Sequence, residues 1–147
     1  MSSPLHDAHQ EIIRKHMRAS PRRGVLAGAD VSVGASNPVC GDEIVLQLRM
    51  DGGRIAEAGF SGQGCAVSQA SASMMTERLA GLALDEAAEL ARRFTDLLRG
   101  DPSAAADPAL GDLRALAGVS RLPARVRCAL LAWNALEDAR RALAPAP

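Results

Sequence analysis

The sequence predicts an α+β fold: a small antiparallel β-sheet of about three strands with helices packed on one of its faces. Three observations carry that class. Ile44, Leu46, Leu48 and Met50 alternate with Val45, Gln47 and Arg49, the two-residue period of a strand with one buried face. Asp51-Gly52-Gly53 supplies a tight turn, and residues 54–60 return as a second strand, so the pair reads as a β-hairpin. On either side of it the apolar residues recur at helical spacing, and helices grouped on an antiparallel sheet define the class.

The elements follow in chain order. Residues 5–19 form a helix, with Leu5, Ala8, Ile12 and His16 on one stripe and Ile13 and Met17 beside it; Ser20-Pro21-Arg22-Arg23-Gly24 stops it. Residues 28–40, rich in Gly, Ala, Ser and Val, combine loop with a short strand at 31–33. After the hairpin, Ser61-Gly62-Gln63-Gly64 ends the second strand and leads into a helix of small residues over 65–79, with Val67, Ala70 and Met74 marking its inner face. A further helix spans 84–99. Asp85 and Glu86 in its first turn, and Arg99-Gly100 at its end, agree with the dipole and capping rules. Residues 101–107 read as a surface loop and 110–117 as a short helix. A long helix over 122–141 accepts Pro123 in its first turn and carries Val126, Ala129, Leu130, Trp133 and Leu136 as its core stripe. The last four residues, 144–147, read as a frayed tail.

Composition narrows the functional classes. A length of 147 residues suits one domain over 1–147, and 48% hydrophobic residues suffices for a core. Basic and acidic residues number 17 each, so no net basic field draws the chain to nucleic acid or an acidic membrane. Aromatics at 2%, with no tyrosine, leave little for base stacking. No apolar run is long enough to span a membrane, and the first residues lack the regions of a secretory signal. With unpaired cysteines, these features point to a reducing cytoplasm.

The three cysteines are the informative residues. They stand in Asn37-Pro38-Val39-Cys40-Gly41-Asp42, in Gly62-Gln63-Gly64-Cys65-Ala66 and in Arg125-Val126-Arg127-Cys128-Ala129. An odd number cannot all pair as internal disulfides. Three thiolates and a carboxylate do make a closed shell for zinc. Asp42 lies two residues after Cys40, so an extended segment points both side chains the same way. The reading is a Cys3Asp metal site of Cys40, Asp42, Cys65 and Cys128. A lone cysteine is more often a small core residue. For Cys40 the loop-forming neighbours weaken that alternative, and Cys65 sits at a helix start, where the dipole favours the thiolate. Cys128, inside a helix, is by itself ambiguous. Arg125 and Arg127 either screen the site's negative charge or are ordinary solvated arginines, with nothing to choose between them. His6, His9 and His16 read as surface or helix-packing residues, not ligands, and no Ser-His-Asp arrangement is expected. The Gly-x-Gly before Cys65 has no following lysine and no βαβ setting, so it is not read as a phosphate loop.

Taken with the segment Gly64-Cys65-Ala66-Val67-Ser68-Gln69-Ala70-Ser71-Ala72-Ser73-Met74-Met75 and with Arg127-Cys128-Ala129-Leu130-Leu131-Ala132-Trp133, these motifs resemble the SufU/IscU/NifU-like family of iron–sulfur cluster assembly proteins. The likeness extends to His16 and the Pro21-Arg22 pair, and so spans nearly the whole chain. Arg127 stands where IscU-type scaffolds have a histidine, their Leu-Pro-Pro-Val-Lys motif is absent, and a long stretch containing 101–118 separates the second and third cysteines. Those features resemble the SufU branch. Ser20 in place of an Asn, and Ala83 in place of a Ser or Thr helix cap, are mild departures.

The resemblance implies a SufE/IscU-like fold and a zinc-dependent sulfur acceptor. Cys40, Asp42, Cys65 and Cys128 would hold Zn2+, and Cys40 would be the catalytic residue that takes persulfide sulfur from a SufS-like cysteine desulfurase. Downstream iron–sulfur assembly proteins would be further partners. The alternative is a scaffold on which a 2Fe–2S cluster is transiently assembled on the same residues.

Overall fold

The computed structural model describes residues 4–18, 22–39 and 41–143, with side chains from residue 8 onward. The predicted helix end at Ala19, the Ser20-Pro21 stop, Cys40 and the 144–147 tail lie outside the described residues, as do the side chains of Leu5 and His6.

Helix α1 spans Pro4–Arg18, and strands β1 (Val31–Asn37), β2 (Asp42–Asp51) and β3 (Arg54–Gln63) follow. They pair antiparallel in the order β1-β2-β3. The predicted alternation decides which face is covered. Ile44, Leu46 and Leu48 are at most 1% exposed, and Ile55 and Phe60 join them beneath the helices. Glu43 and Val45 of β2 face outward, where Arg49 also pairs with Glu57 at 2.7 Å. β1 is longer than the predicted 31–33 because its pairing with β2 runs unbroken from Val31 opposite Leu48 to Asn37 opposite Asp42. β3 likewise continues past Phe60 to Gln63, where Gly62 and Gln63 still pair with Ile44 and Glu43.

The covering layer is built around α2 (Ala66–Leu79) and α5 (Pro123–Leu143), with α3 (Leu84–Leu98) behind them. α2 packs against α1, α5, β3 and the segment Pro108–Arg121. It is therefore buried from Ser68 to Thr76 on all sides, not on the single Val67–Ala70–Met74 face that periodicity suggested. Alanine and serine make this possible, because only small side chains let helices approach from several directions at once. The polar atoms are met internally: Ser71 Oγ donates to Ala129 O at 2.6 Å and accepts from Trp133 Nε1 at 3.0 Å, tying α2 to α5. Trp133 stacks on Phe94 of α3 with centroids 4.7 Å apart. In α5 the buried face is Cys128, Ala129, Leu131, Ala132, Trp133, Ala135, Leu136 and Ala139, so Val126 and Leu130 of the expected stripe sit at its margin.

Two connections differ from expectation. Within the predicted loop 101–107, Pro102–Ala105 is a helical turn, α4. Asp101 caps it by accepting from Ser103 N at 2.9 Å, with proline in the first turn where its missing N–H costs nothing. The short helix expected at 110–117 is a longer 3-10 segment, Pro108–Arg121, kinked at Gly111. Gly111 has φ 54 and ψ −131, a backbone region essentially reserved for glycine. At α3, Ala83 offers no side-chain cap, and Glu86 supplies the bond by accepting from Ala83 N at 2.9 Å.

Candidate metal centre

The site forms where three elements end together. Asn37 and Asp42 are the last residues paired between β1 and β2, and residues 38–41 connect the two strands in sequence. Gly41 N donates to Asn37 O at 2.9 Å, and Val39 N to Asn37 Oδ1 at 3.3 Å. Cys40 belongs to this connection by sequence, and its placement lies outside the described residues.

Asp42 opens β2 and is 2% exposed. A carboxylate buried that far requires partners. Its Oδ1 accepts the N–H of Cys65 at 3.0 Å, and its Oδ2 lies 3.7 Å from Cys65 Sγ. Cys65 is the N-cap of α2, so the carboxylate also occupies the positive end of that helix. Gly64 makes the approach possible. A Cβ there would sit 2.4 Å from Ser68 Oγ and 2.8 Å from Asp42 Oδ1, so any side chain would push the carboxylate away from Cys65.

Cys128, fully buried in the second turn of α5, completes the group. One donor atom each from Asp42, Cys65 and Cys128 lies within 4.8 Å of the others. Three of the four sequence-predicted ligands thus converge from β2, α2 and α5. Two thiols and a carboxylate around a partly covered point suit a borderline-soft divalent ion such as zinc, and the Gly64 cradle keeps the carboxylate in range.

The two arginines, equivalent in the sequence, separate in space. The Arg125 guanidinium is pushed above its ordinary range, first by its charge interaction with Cys65, then by a hydrogen bond with the Cys65 sulfur, then by Cys128. Arg127 lines the neighbouring clefts instead. One, of about 290 Å3, is bounded by Asn37, Val39, Pro123, Ala124 and Arg127. Val39 is 83% exposed and Leu122 55% exposed, giving the site's surroundings an apolar, open character.

A second convergence was not expected from the sequence. His16 is fully buried, with Nδ1 2.7 Å from Ser73 Oγ and Nε2 2.9 Å from Asp112 Oδ2. The packing alternative for His16 therefore holds, and the expectation that no Ser-His-Asp arrangement exists is corrected. The three residues come from α1, α2 and the 3-10 segment, which only the tertiary fold brings together. Ser73 is 0% exposed, so no substrate reaches its hydroxyl. Glu77 stands 3.9 Å from the ring, and Lys15 Nζ occupies Asp112 Oδ2 at 3.4 Å. The node joins three elements. Among the described residues, no helix is long and apolar enough to cross a membrane.

A three-stranded antiparallel sheet covered on one face by helices, with two cysteines and an aspartate gathered at its end, defines a class of small α+β proteins with a candidate metal-binding group at the end of the sheet. The model of the NifU-like N-terminal domain matches residues 8–141, and the chain belongs to that family. It is 40% identical over 134 residues to the zinc-dependent sulfurtransferase SufU of Bacillus subtilis, covering 90% of this chain and 89% of that one. It is 37% identical over 137 residues to the iron–sulfur cluster assembly scaffold protein IscU of Streptococcus pyogenes, covering 93% and 85%. A crystal structure from Fervidobacterium islandicum, described as a candidate iron–sulfur cluster assembly scaffold for the SUF system, superposes with a TM-score of 0.81 at 33% identity, covering 88% of this chain and 94% of that one.

Proposed function

We propose that the chain is a zinc-dependent sulfur acceptor in iron–sulfur cluster assembly, with Cys40, Asp42, Cys65 and Cys128 as the metal ligands. The observation that carries the reading is the convergence of Asp42, Cys65 and Cys128 beneath a cation, Arg125. Similarity to a relative named as a zinc-dependent sulfurtransferase supports it. Zinc, when bound, keeps the cysteines as thiolates and closed to oxidation.

The chain's own residues account for the rest. Asp42 fixes Cys65 through the backbone N–H, and Cys128 is held rigidly by its helix. In the sequence Cys40 stands between Val39 and Gly41, both exposed. In the proposed step the Cys40 thiolate attacks the terminal sulfur of a persulfide on a cysteine desulfurase. A bond forms between Cys40 Sγ and that sulfur, the bond to the desulfurase cysteine breaks, and that cysteine leaves as a thiolate. One S–S bond replaces another, so no outside oxidant is needed. Arg125 offsets the negative charge the sulfurs accumulate. A SufS-like desulfurase is the proposed partner, the cytoplasm is the proposed setting, and downstream assembly proteins receive the sulfur.

A second reading, the transient assembly of a 2Fe–2S cluster as cargo on the same residues, is favoured by the likeness to a relative named as a scaffold. Metal analysis separates the two, because zinc is colourless and a cluster is brown. Incubation with a desulfurase and cysteine, followed by peptide mapping, should place the added sulfur on Cys40, and Cys40→Ser should abolish it. Sulfur found mainly on Cys65 or Cys128 would refute the assignment of Cys40. Iron and labile sulfide at full occupancy, with no zinc, would favour the scaffold.

A further inference from the structure

α2 is rich in buried polar side chains, and nearly all of their polar atoms have a partner. Ser68 Oγ donates to Cys65 O, Ser71 Oγ to Ala129 O and Thr76 Oγ1 to Ala72 O, while Ser73 meets His16. The exception is Gln69. It is 6% exposed, and its amide nitrogen Nε2 is buried without an acceptor. A buried donor left unmade is costly, and native structures rarely keep one without a use. Methionine fills such a position without that cost, as Met74 and Met75 do further along the same helix.

Position says where the use lies. Gln69 is one turn after Cys65, and its backbone N–H donates to Cys65 O at 3.1 Å. Residues four apart share a helix face. Long side chains on a helix lean back over the preceding turn, which here carries Cys65. The carboxylate gathered there is an acceptor, and the two sulfurs become acceptors when their protons are lost to a metal. Among the described residues none is within hydrogen-bond range of Nε2.

We propose that Gln69 Nε2 is the hydrogen-bond donor for an anionic sulfur at the loaded centre. That sulfur is either a protein thiolate drawn into position by the metal or the terminal sulfur of a persulfide formed at the site. The amide gives no proton away; it lowers the energy of a negative sulfur by pointing an N–H at it. The inference rests on the metal-centre reading above, and its test has arms that do not need a desulfurase.

The test compares wild type with Gln69→Leu and Gln69→Met, two apolar replacements of similar volume. With no partner in the resting chain, the amide should be dispensable there, so the zinc-free variants should melt at or above the wild-type temperature. Zinc affinity is then measured by competition with a chromophoric chelator, and the thiolate-to-metal charge-transfer band is recorded with cobalt in place of zinc. Persulfide is installed with inorganic polysulfide and its decay followed by intact mass. A zinc affinity lowered about tenfold, with a shifted cobalt band, identifies a protein thiolate as acceptor. A persulfide decaying about tenfold faster at unchanged zinc affinity identifies the transferred sulfur. Either supports the proposal. Zinc-free variants melting several degrees lower would show that the amide already has a partner, and would overturn it. Unchanged zinc affinity, cobalt band and persulfide lifetime together would overturn it equally. Polysulfide loading that succeeds where a desulfurase fails would count against the proposed partner alone.

Discussion

Asp42 uses its two oxygens differently: Oδ1 holds the Cys65 N–H at 3.0 Å, and Oδ2 faces the Cys65 sulfur at 3.7 Å. Substitutions can separate the roles. Asp42→Asn keeps an acceptor for the N–H and loses the charge, whereas Asp42→Ala loses both. We expect each to weaken zinc binding by about 10- to 100-fold. Only the alanine variant should add a cost on the order of 1–3 kcal/mol in zinc-free stability, for the unmade bond. Chelator competition and chemical denaturation of the zinc-free proteins measure the two quantities; equal stability of the two variants would mean that the N–H contact contributes nothing. Asp42 was picked out in the sequence by standing two residues after Cys40, but Gly41, with φ 72, interrupts the extended backbone on which that parity reading leaned. Arg125 and Arg127 were not separable there, because what distinguishes them is Cys65, on another helix. Gln69 left no signal at all: a glutamine in a helix is ordinary until its burial is known.

At the scale of elements, the periodic ones were legible and the aperiodic ones were not. The β2–β3 hairpin and α3 follow apolar spacing closely, since each has one dominant face, while α5 was found as a helix with its buried face shifted from the expected stripe. α2 misled because a helix buried all round has no periodicity to read. The segment Pro108–Arg121 misled because its course is set by Gly111 and by Asp112 meeting His16. That contact predicts a pH effect. The Asp112 carboxyl is held below its ordinary value of 3.8, chiefly by the hydrogen bond with His16; burial opposes this and Lys15 assists it. A depressed carboxylate contributes stability that is present above 3.8 and lost as pH falls through its lower folded value. Asp112→Asn should therefore lose stability less steeply on acidification in that range. It should also speed amide exchange in α1, which His16 ties to α2 and to the 3-10 segment. Identical acid slopes for the two proteins would remove Asp112 from the account of acid sensitivity.

For the molecule as a whole, the candidate metal centre lies where separate elements end together. The end of the β1–β2 hairpin, the start of α2 and the start of α5 meet there, and the large apolar side chains Leu46, Phe60, Phe94 and Leu97 are buried elsewhere in the core. Aromatic residues are few, at 2% of the chain, so few large side chains brace that end. A ligand that binds only the folded chain stabilises it by mass action, about 2.7 kcal/mol at a hundred times its dissociation constant. For a chain of this length that is a rise in Tm of roughly 5–10 °C. Chelation should therefore lower Tm by about that much. The loss should be local, with amide exchange rising first at the end of β1, the start of β2 and the first turns of α2 and α5, while the centre of β2 and the second half of α2 stay protected. Heating with and without chelator, followed by exchange measured residue by residue, tests both parts. An unchanged Tm would mean that the three elements hold their places without the metal, leaving the centre a chemical role only. A uniform rise in exchange across the sheet would mean that the metal supports the whole fold and not just this end.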